Sequence, residues 1–81
     1  MSLFALVAEG EKIKEYGFSD GTVLFFDADM PYDYGRISCF RSCRKDDETK
    51  YKILRGQVEG YFYVGTLVAS FQSFDERMSI V

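Results

Sequence analysis

The hydrophobic residues of this chain fall in short runs bounded by turn signals, and the spacing is that of strands rather than of long helices. Glu9-Gly10, Ser19-Asp20-Gly21, Met30-Pro31, Asp46-Asp47, Gly56, Glu59-Gly60 and Gly65 punctuate segments rich in Val, Ile, Phe and Tyr. Such residues suit a pleated, half-buried surface, whereas Gly, Pro and Asp mark where the chain reverses. The pattern predicts strands over Gly21–Asp27, Tyr34–Arg41, Lys50–Leu54, Thr66–Gln72 and Glu76–Val81. Five strands in about sixty residues point to an all-β domain built as a small closed antiparallel barrel rather than a sandwich. The segment Leu3–Gly17 reads two ways. Leu3, Leu6, Val7 and Ile13 fit a short amphipathic helix that Gly17 could end, while Phe4–Ala8 fits an extra edge strand, which is the preferred reading.

Length and composition narrow the picture. The 81 residues make one domain, because a chain this short cannot divide its core between two. With 47% hydrophobic and 17% aromatic residues there is ample surface to bury, and more aromatic rings than a small barrel can hold inside. The formal charge of −3 opposes an electrostatic nucleic-acid binder, but its distribution does not. Between Arg36 and Arg55, seven basic residues against three acidic ones leave a local balance of +4, so the remainder carries −7. A phosphate backbone responds to potential within about 8–10 Å, so a basic middle and an acidic remainder are compatible. The bland alternative is a solvated loop whose charges pair off in Arg44-Lys45-Asp46-Asp47-Glu48. No apolar run reaches the roughly 18 residues of a membrane span, and no basic region precedes a long apolar core at the N-terminus, so the expected location is the cytoplasm.

The chemistry-bearing residues exclude more than they offer. Cys39 and Cys43 are the only cysteines and there is no histidine, so a tetrahedral zinc site would need two carboxylates. On a strand, a C-x-x-x-C spacing separates the two by about 13 Å, too far for a disulfide, and the expectation is one buried thiol and one loop thiol. Asp27, Asp29 and Asp33 resemble the start of a calcium loop, but Pro31 and Tyr32 stand where such a loop carries a ligand and then a glycine. Without histidine, acid–base work near neutral pH has no evident group, and the Ser and Thr hydroxyls have no visible base. Neither an enzyme, nor a metal, nor a cofactor is expected.

One stretch carries a family resemblance. Gly21-Thr22-Val23-Leu24-Phe25-Phe26-Asp27, followed by Asp33-Tyr34-Gly35-Arg36-Ile37, resembles the opening hairpin of a cold-shock domain, G-x-V-K-W-F-N returning through K-G-F/Y-G-F-I. Gly21, Val23, Phe26, Gly35 and Ile37 match, Phe25 and Tyr34 are tolerable, Leu24 and Arg36 depart, and the connection is two residues longer. Tyr51-Lys52-Ile53-Leu54-Arg55 aligns with the family's V-F-V-H-F, with Tyr51 and Ile53 inward and Lys52 and Leu54 outward, and Gly65–Phe71 resembles the closing G-x-x-V-x-F. The resemblance covers about residues 21–81 and implies an OB-like five-stranded barrel, with Val23 and Ile37 inward and the N-terminal strand or helix added to it.

It also implies a partner, single-stranded RNA or DNA. Unpaired bases stack on aromatic faces, each contributing roughly 1–3 kcal/mol with little sequence preference. The candidates are Phe25, Phe26, Tyr34 and Tyr61 for stacking, Arg36 for stacking or phosphate contact, Lys52 and Arg55 for the backbone, and Leu54 beside them on the outward face. The alternative is a protein-interaction or self-associating module that kept the barrel and lost the platform, since Lys52 and Leu54 replace outward aromatics; a homodimer through the N-terminal edge strand is its simplest form.

Overall fold

In the computed structural model, which describes residues 1–46, 51–72 and 77–81, one antiparallel sheet is organised around a single long strand. β5 (Tyr61–Gln72) runs for 12 residues, and its neighbours divide it. Its first half pairs with β3 (Ile37–Ser42), which pairs in turn with β4 (Tyr51–Arg55). Its second half pairs with β2 (Val23–Asp27) on one edge and with β6 (Arg77–Ile80) on the other, and β1 (Leu3–Val7) lies outside β2. The lateral order is therefore β1-β2-β5-β3-β4, with β6 beside β5.

Two bulges bend the central strand. The register against β2 steps from Phe25/Ala69 to Phe26/Leu67, and that against β3 from Cys39/Gly65 to Phe40/Tyr63, so Val68 and Val64 are extra residues. Bulges curve a strand and increase its twist. The sheet curls accordingly, and inward side chains of five strands meet in one cluster that includes Phe4, Leu24, Phe26, Cys39, Ile53 and Leu67. Phe26 and Leu24 have no exposed surface, and burying each contributes on the order of 1.5–3 kcal/mol. Phe4 stacks on Phe26 with ring centroids 5.3 Å apart and reaches across to Gly65, where a Cβ would lie 2.8 Å from its ring.

The expected five-stranded barrel is not what forms: the described residues make six strands, and their sheet is not closed. The reason lies in the N-terminal segment, which is strand and helix in succession rather than one or the other. After β1, the helix α1 (Glu11–Glu15) lies against β4, the opposite end of the sheet. The N–H of Arg55 donates to the Tyr16 hydroxyl at 2.9 Å, and the Arg55 guanidinium lies 5.6 Å from the centre of the Tyr16 ring. A side chain thus occupies an edge amide of β4 that a closing strand would use. Gly17 ends α1 as its position predicts. At φ 88 it lets the Gly17 N–H reach the Lys14 carbonyl (3.0 Å) and the Phe18 N–H reach the Ile13 carbonyl (3.3 Å), while Phe18 and Ile13 both pack into the core.

Three further expectations shift. Gly21–Asp27 and Tyr34–Arg41 do not form a hairpin, because β5 lies between β2 and β3. Leu24 and Phe26, not Val23, face the core. Every residue from Val23 to Phe26 is apolar, so alternation supplies no phase, and a one-residue slip exchanges the faces. The closing strand begins at Tyr61 instead of Thr66, since Gly65 is an in-strand glycine beneath Phe4 and not a turn. The predicted strand starts at Lys50 and Glu76, and the turn residue Asp47, lie outside the described residues. Ile37 and Ile53 face inward as expected; Tyr51 shares their face but lies past the end of the core and is 41% exposed.

Cys39 is buried opposite Gly65 and Ile53, and burial pushes its thiol up to about 12, whereas Cys43 is exposed. A thiol reagent at about pH 8 should therefore modify only Cys43 in the native chain and reach Cys39 after denaturation; rapid modification of Cys39 in a native Cys43→Ser variant would show that the core is not sealed. Gly65→Ala should destabilise the fold by about 1–3 kcal/mol, read as a lower urea midpoint, because the added methyl overpacks Phe4 and the Asp27 carbonyl. An unchanged midpoint would rule out the contact.

Candidate functional site

Residues directly opposed in an antiparallel ladder share a face, so the registers lay out the outer face of the sheet as rows. With Leu24 and Phe26 turned to the core, Val23 and Phe25 point outward. One row crosses β1, β2, β5 and β6 as Ala5, Phe25, Ala69 and Ile80, and the next as Val7, Val23, Phe71 and Met78. These eight residues include no charged or polar side chain. Ala5 is exposed, Val7 is 61% exposed, Met78 53% and Ile80 81%, while Val23, Phe25 and Phe71 are half-buried and Ala69, between its larger neighbours, is buried. An apolar sheet face normally lies under another layer; here no other element among the described residues is layered over these four strands.

The other half of the outer face, on β3, β4 and the start of β5, is aromatic and covered. Tyr32, from the segment between β2 and β3, packs edge-on against Tyr63 and Phe40 at 5.4 and 6.2 Å between centroids. Its hydroxyl donates to the Gly56 carbonyl at 2.8 Å, and burial raises its pKa above the ordinary tyrosine value, keeping it a donor. The Tyr63 hydroxyl donates to the Met30 carbonyl at 2.7 Å and lies 2.7 Å from Thr66 Oγ1. Beside this cluster runs a groove of about 480 Å³ with Tyr32, Phe40, Tyr61 and Tyr63 along it, and the Lys52 ammonium lies 4.8 Å from the centre of the Tyr61 ring. The acidic connection between β2 and β3 is internally engaged: Asp27 Oδ1 accepts from the N–H of Asp29 and from Ser2 N, and Asp33 Oδ1 from the N–H of Gly35. Among the described residues no group of three or more His, Cys, Asp or Glu side chains is placed to hold a metal, and no helix is long and apolar enough to cross a membrane.

The residues named for single-strand binding do not converge. Phe26 is in the core with no exposed surface, so it offers no face to a base. Phe25 belongs to the apolar half of the outer face, away from any cation in its row. Lys52, Leu54 and Tyr61 are outward on the aromatic half, and Tyr34 stands nearby, 68% exposed, with its ring against Gly56. Arg36 directs its guanidinium to the Leu67 carbonyl at 3.5 Å. Arg55 sits on the inner face against Tyr16. A strand inserted between the two halves of the supposed hairpin is enough to scatter the set.

Two surfaces escaped the sequence reading. One is the apolar outer face, whose signal was present in the unbroken apolar run Val23–Phe26 and in Phe71, but whose assembly needs the β1-β2-β5-β6 order. The other is a row on the inner face beyond the core, where Arg41 is directly opposed by Tyr51 on β4 and by Phe62 on β5. Arg41 is exposed, and so are Tyr51 at 41% and Phe62 at 48%. Alternation alone puts Arg41 and Tyr51 on one face of their strands, but the Phe62 partner depends on the bulge at Val64.

Compared with protein-family models, with curated proteins and with solved structures, the chain matches none. The likeness to a cold-shock domain thus rests on the quoted residues alone, and the pairing of β2 and β3 with β5 rather than with each other departs from the hairpin that likeness implies.

Proposed function

We propose that this chain is a protein-interaction module that binds its partner through the apolar outer face of β1, β2, β5 and β6. The observation that carries this is the pair of uncharged cross-strand rows, Ala5–Phe25–Ala69–Ile80 and Val7–Val23–Phe71–Met78, with Ala5, Val7, Met78 and Ile80 exposed, in a chain that is 28% charged. Leaving such side chains in water forgoes roughly 25 cal/mol for each Å² that a partner would cover. The binding would be driven by burial, with specificity from shape, since the face has no polar group to direct it. A photoreactive phenylalanine analogue at Val7 or Ile80 should give discrete protein adducts in cells expressing the chain, and the same analogue at exposed Glu59, on the groove side, should not. Loss of the adducts on adding Met78→Lys is expected; no adduct from either face position would remove the proposal.

A second reading keeps single-stranded RNA or DNA as the partner and moves its site to Tyr51, Arg41 and Phe62. That row supplies two exposed rings flanking a guanidinium, with Arg44 and Lys45 following in sequence. A titration with a labelled mixed-sequence strand at low and moderate salt checks it. Phe62→Ala should weaken binding by the roughly 1–3 kcal/mol of one stacked base, and Arg41→Gln should flatten the salt dependence. No binding at tens of micromolar, or binding indifferent to both changes, would discard this site.

A further inference from the structure

We infer that the occupant of the apolar face is a second copy of this chain, packed sheet on sheet about a two-fold axis that runs parallel to the strands between β2 and β5. This rests on the outer face being an interaction surface, and it goes further by naming the partner and its orientation.

The pattern of side-chain size along the rows carries it. The first row alternates small and large, Ala5, Phe25, Ala69, Ile80. A two-fold parallel to the strands reverses the lateral order of the second copy, so β1 faces β6 and β2 faces β5. Ala5 then opposes the second copy's Ile80, and Phe25 opposes the second copy's Ala69, each large residue meeting a small one. In the second row a medium residue meets a large one: Val7 opposes the second copy's Met78 and Val23 its Phe71. Facing layers interdigitate when large positions meet small ones. The other in-plane two-fold, across the strands, would set Phe25 against Val23 and Ala69 against Phe71, but also Ile80 against Met78, large on large, and Ala5 against Val7, both short, so the first axis gives the more even fit. Either in-plane axis keeps the strand lines of the two sheets parallel, the aligned arrangement of β-sandwiches, with sheets about 10 Å apart.

Charge does not oppose a second copy at the face itself. At a net −3, two copies repel through most of their surfaces, but the eight residues of the two rows bring no like charges together. A different partner would gain no electrostatic selection from this face, whereas an isologous contact needs only self-complementarity. The patch spans four strands about 4.8 Å apart and two rows about 7 Å apart, a few hundred Å² of surface. Pairing of that size is concentration-dependent rather than permanent.

Sedimentation velocity on the whole chain from about 10 to about 500 µM should show reversible dimerisation. Ile80→Lys should weaken it at least tenfold while leaving the circular dichroism unchanged. Ala69→Phe alone should abolish it by setting Phe against Phe25, and adding Phe25→Ala should restore it, since the small–large order is only exchanged. In a mixed labelled and unlabelled sample, isotope-filtered contacts should join Ala5 to Ile80; within one copy these lie three strands, about 14 Å, apart. A dimer indifferent to Ile80→Lys, or one whose filtered contacts join Ala5 to Val7, overturns the inference. A chain that stays monomeric throughout while the photoreactive probe captures a protein of another mass overturns the choice of partner and leaves the face as an interaction surface. A monomer with no adduct removes both.

Discussion

Every strand of this protein takes its position from β5, because one 12-residue strand must satisfy the main-chain donors and acceptors along both of its edges. At Thr66 it does so against Asp27 on one side and Ser38 on the other, and from there the two edges diverge. β3 and β4 extend the sheet from its start; β2, β1 and β6 build the sheet at its end. The bulges at Val64 and Val68 let one strand serve both halves while turning the inner faces of both towards a single cluster. Gly65, between the bulges, leaves room for Phe4 to cross from β1 onto the centre of the sheet. A side chain there would push apart the stack of Phe4 on Phe26 around which the core is assembled.

The same division explains why the outer face has two characters. Over β3, β4 and the start of β5 it is closed by the segment between β2 and β3, which places Tyr32 on Phe40 and Tyr63 and ties its hydroxyl to Gly56. Over β1, β2, β6 and the end of β5 nothing among the described residues covers it. A five-residue helix is spent on the opposite side, spanning from β1 to β4, where Tyr16 holds the edge amide of Arg55. The chain therefore has one layer fewer than its apolar faces call for, and that shortfall is what supports an interaction partner.

Individual residues show how far local pattern carried. Ile37 and Ile53 face inward, as alternation requires; Gly17, which could end the helix in the alternative reading of Leu3–Gly17, does follow a helix and is in the left-handed conformation. In both cases the deciding physics is local, a two-residue period or a glycine's tolerance of positive φ. Phe26 shows the limit. It reads equally well as an outward ring or as core, because its neighbours are apolar too, and only pairing with Phe4 and Leu67 turns it inward. The candidate site suffered most, since Phe25, Lys52, Arg36 and Arg55 belong together only if β2 and β3 are adjacent.

Sequence by itself determined that this is an antiparallel β domain, roughly where its strands lie, that one thiol is hidden and one exposed, and that aromatic and apolar residues exceed what a small core can hold. Those properties follow from composition and from periods of two residues, which adjacent positions encode. The tertiary structure alone decided that β5 lies between β2 and β3, that α1 and Tyr16 stand where a barrel would close, and that eight uncharged side chains line up on one outer face. Lateral strand order depends on main-chain pairing between segments tens of residues apart, and on bulges that reset which side chains share a face. Backbone amides are alike at every position, so that order is settled only when all five inward-facing strands compete for one core.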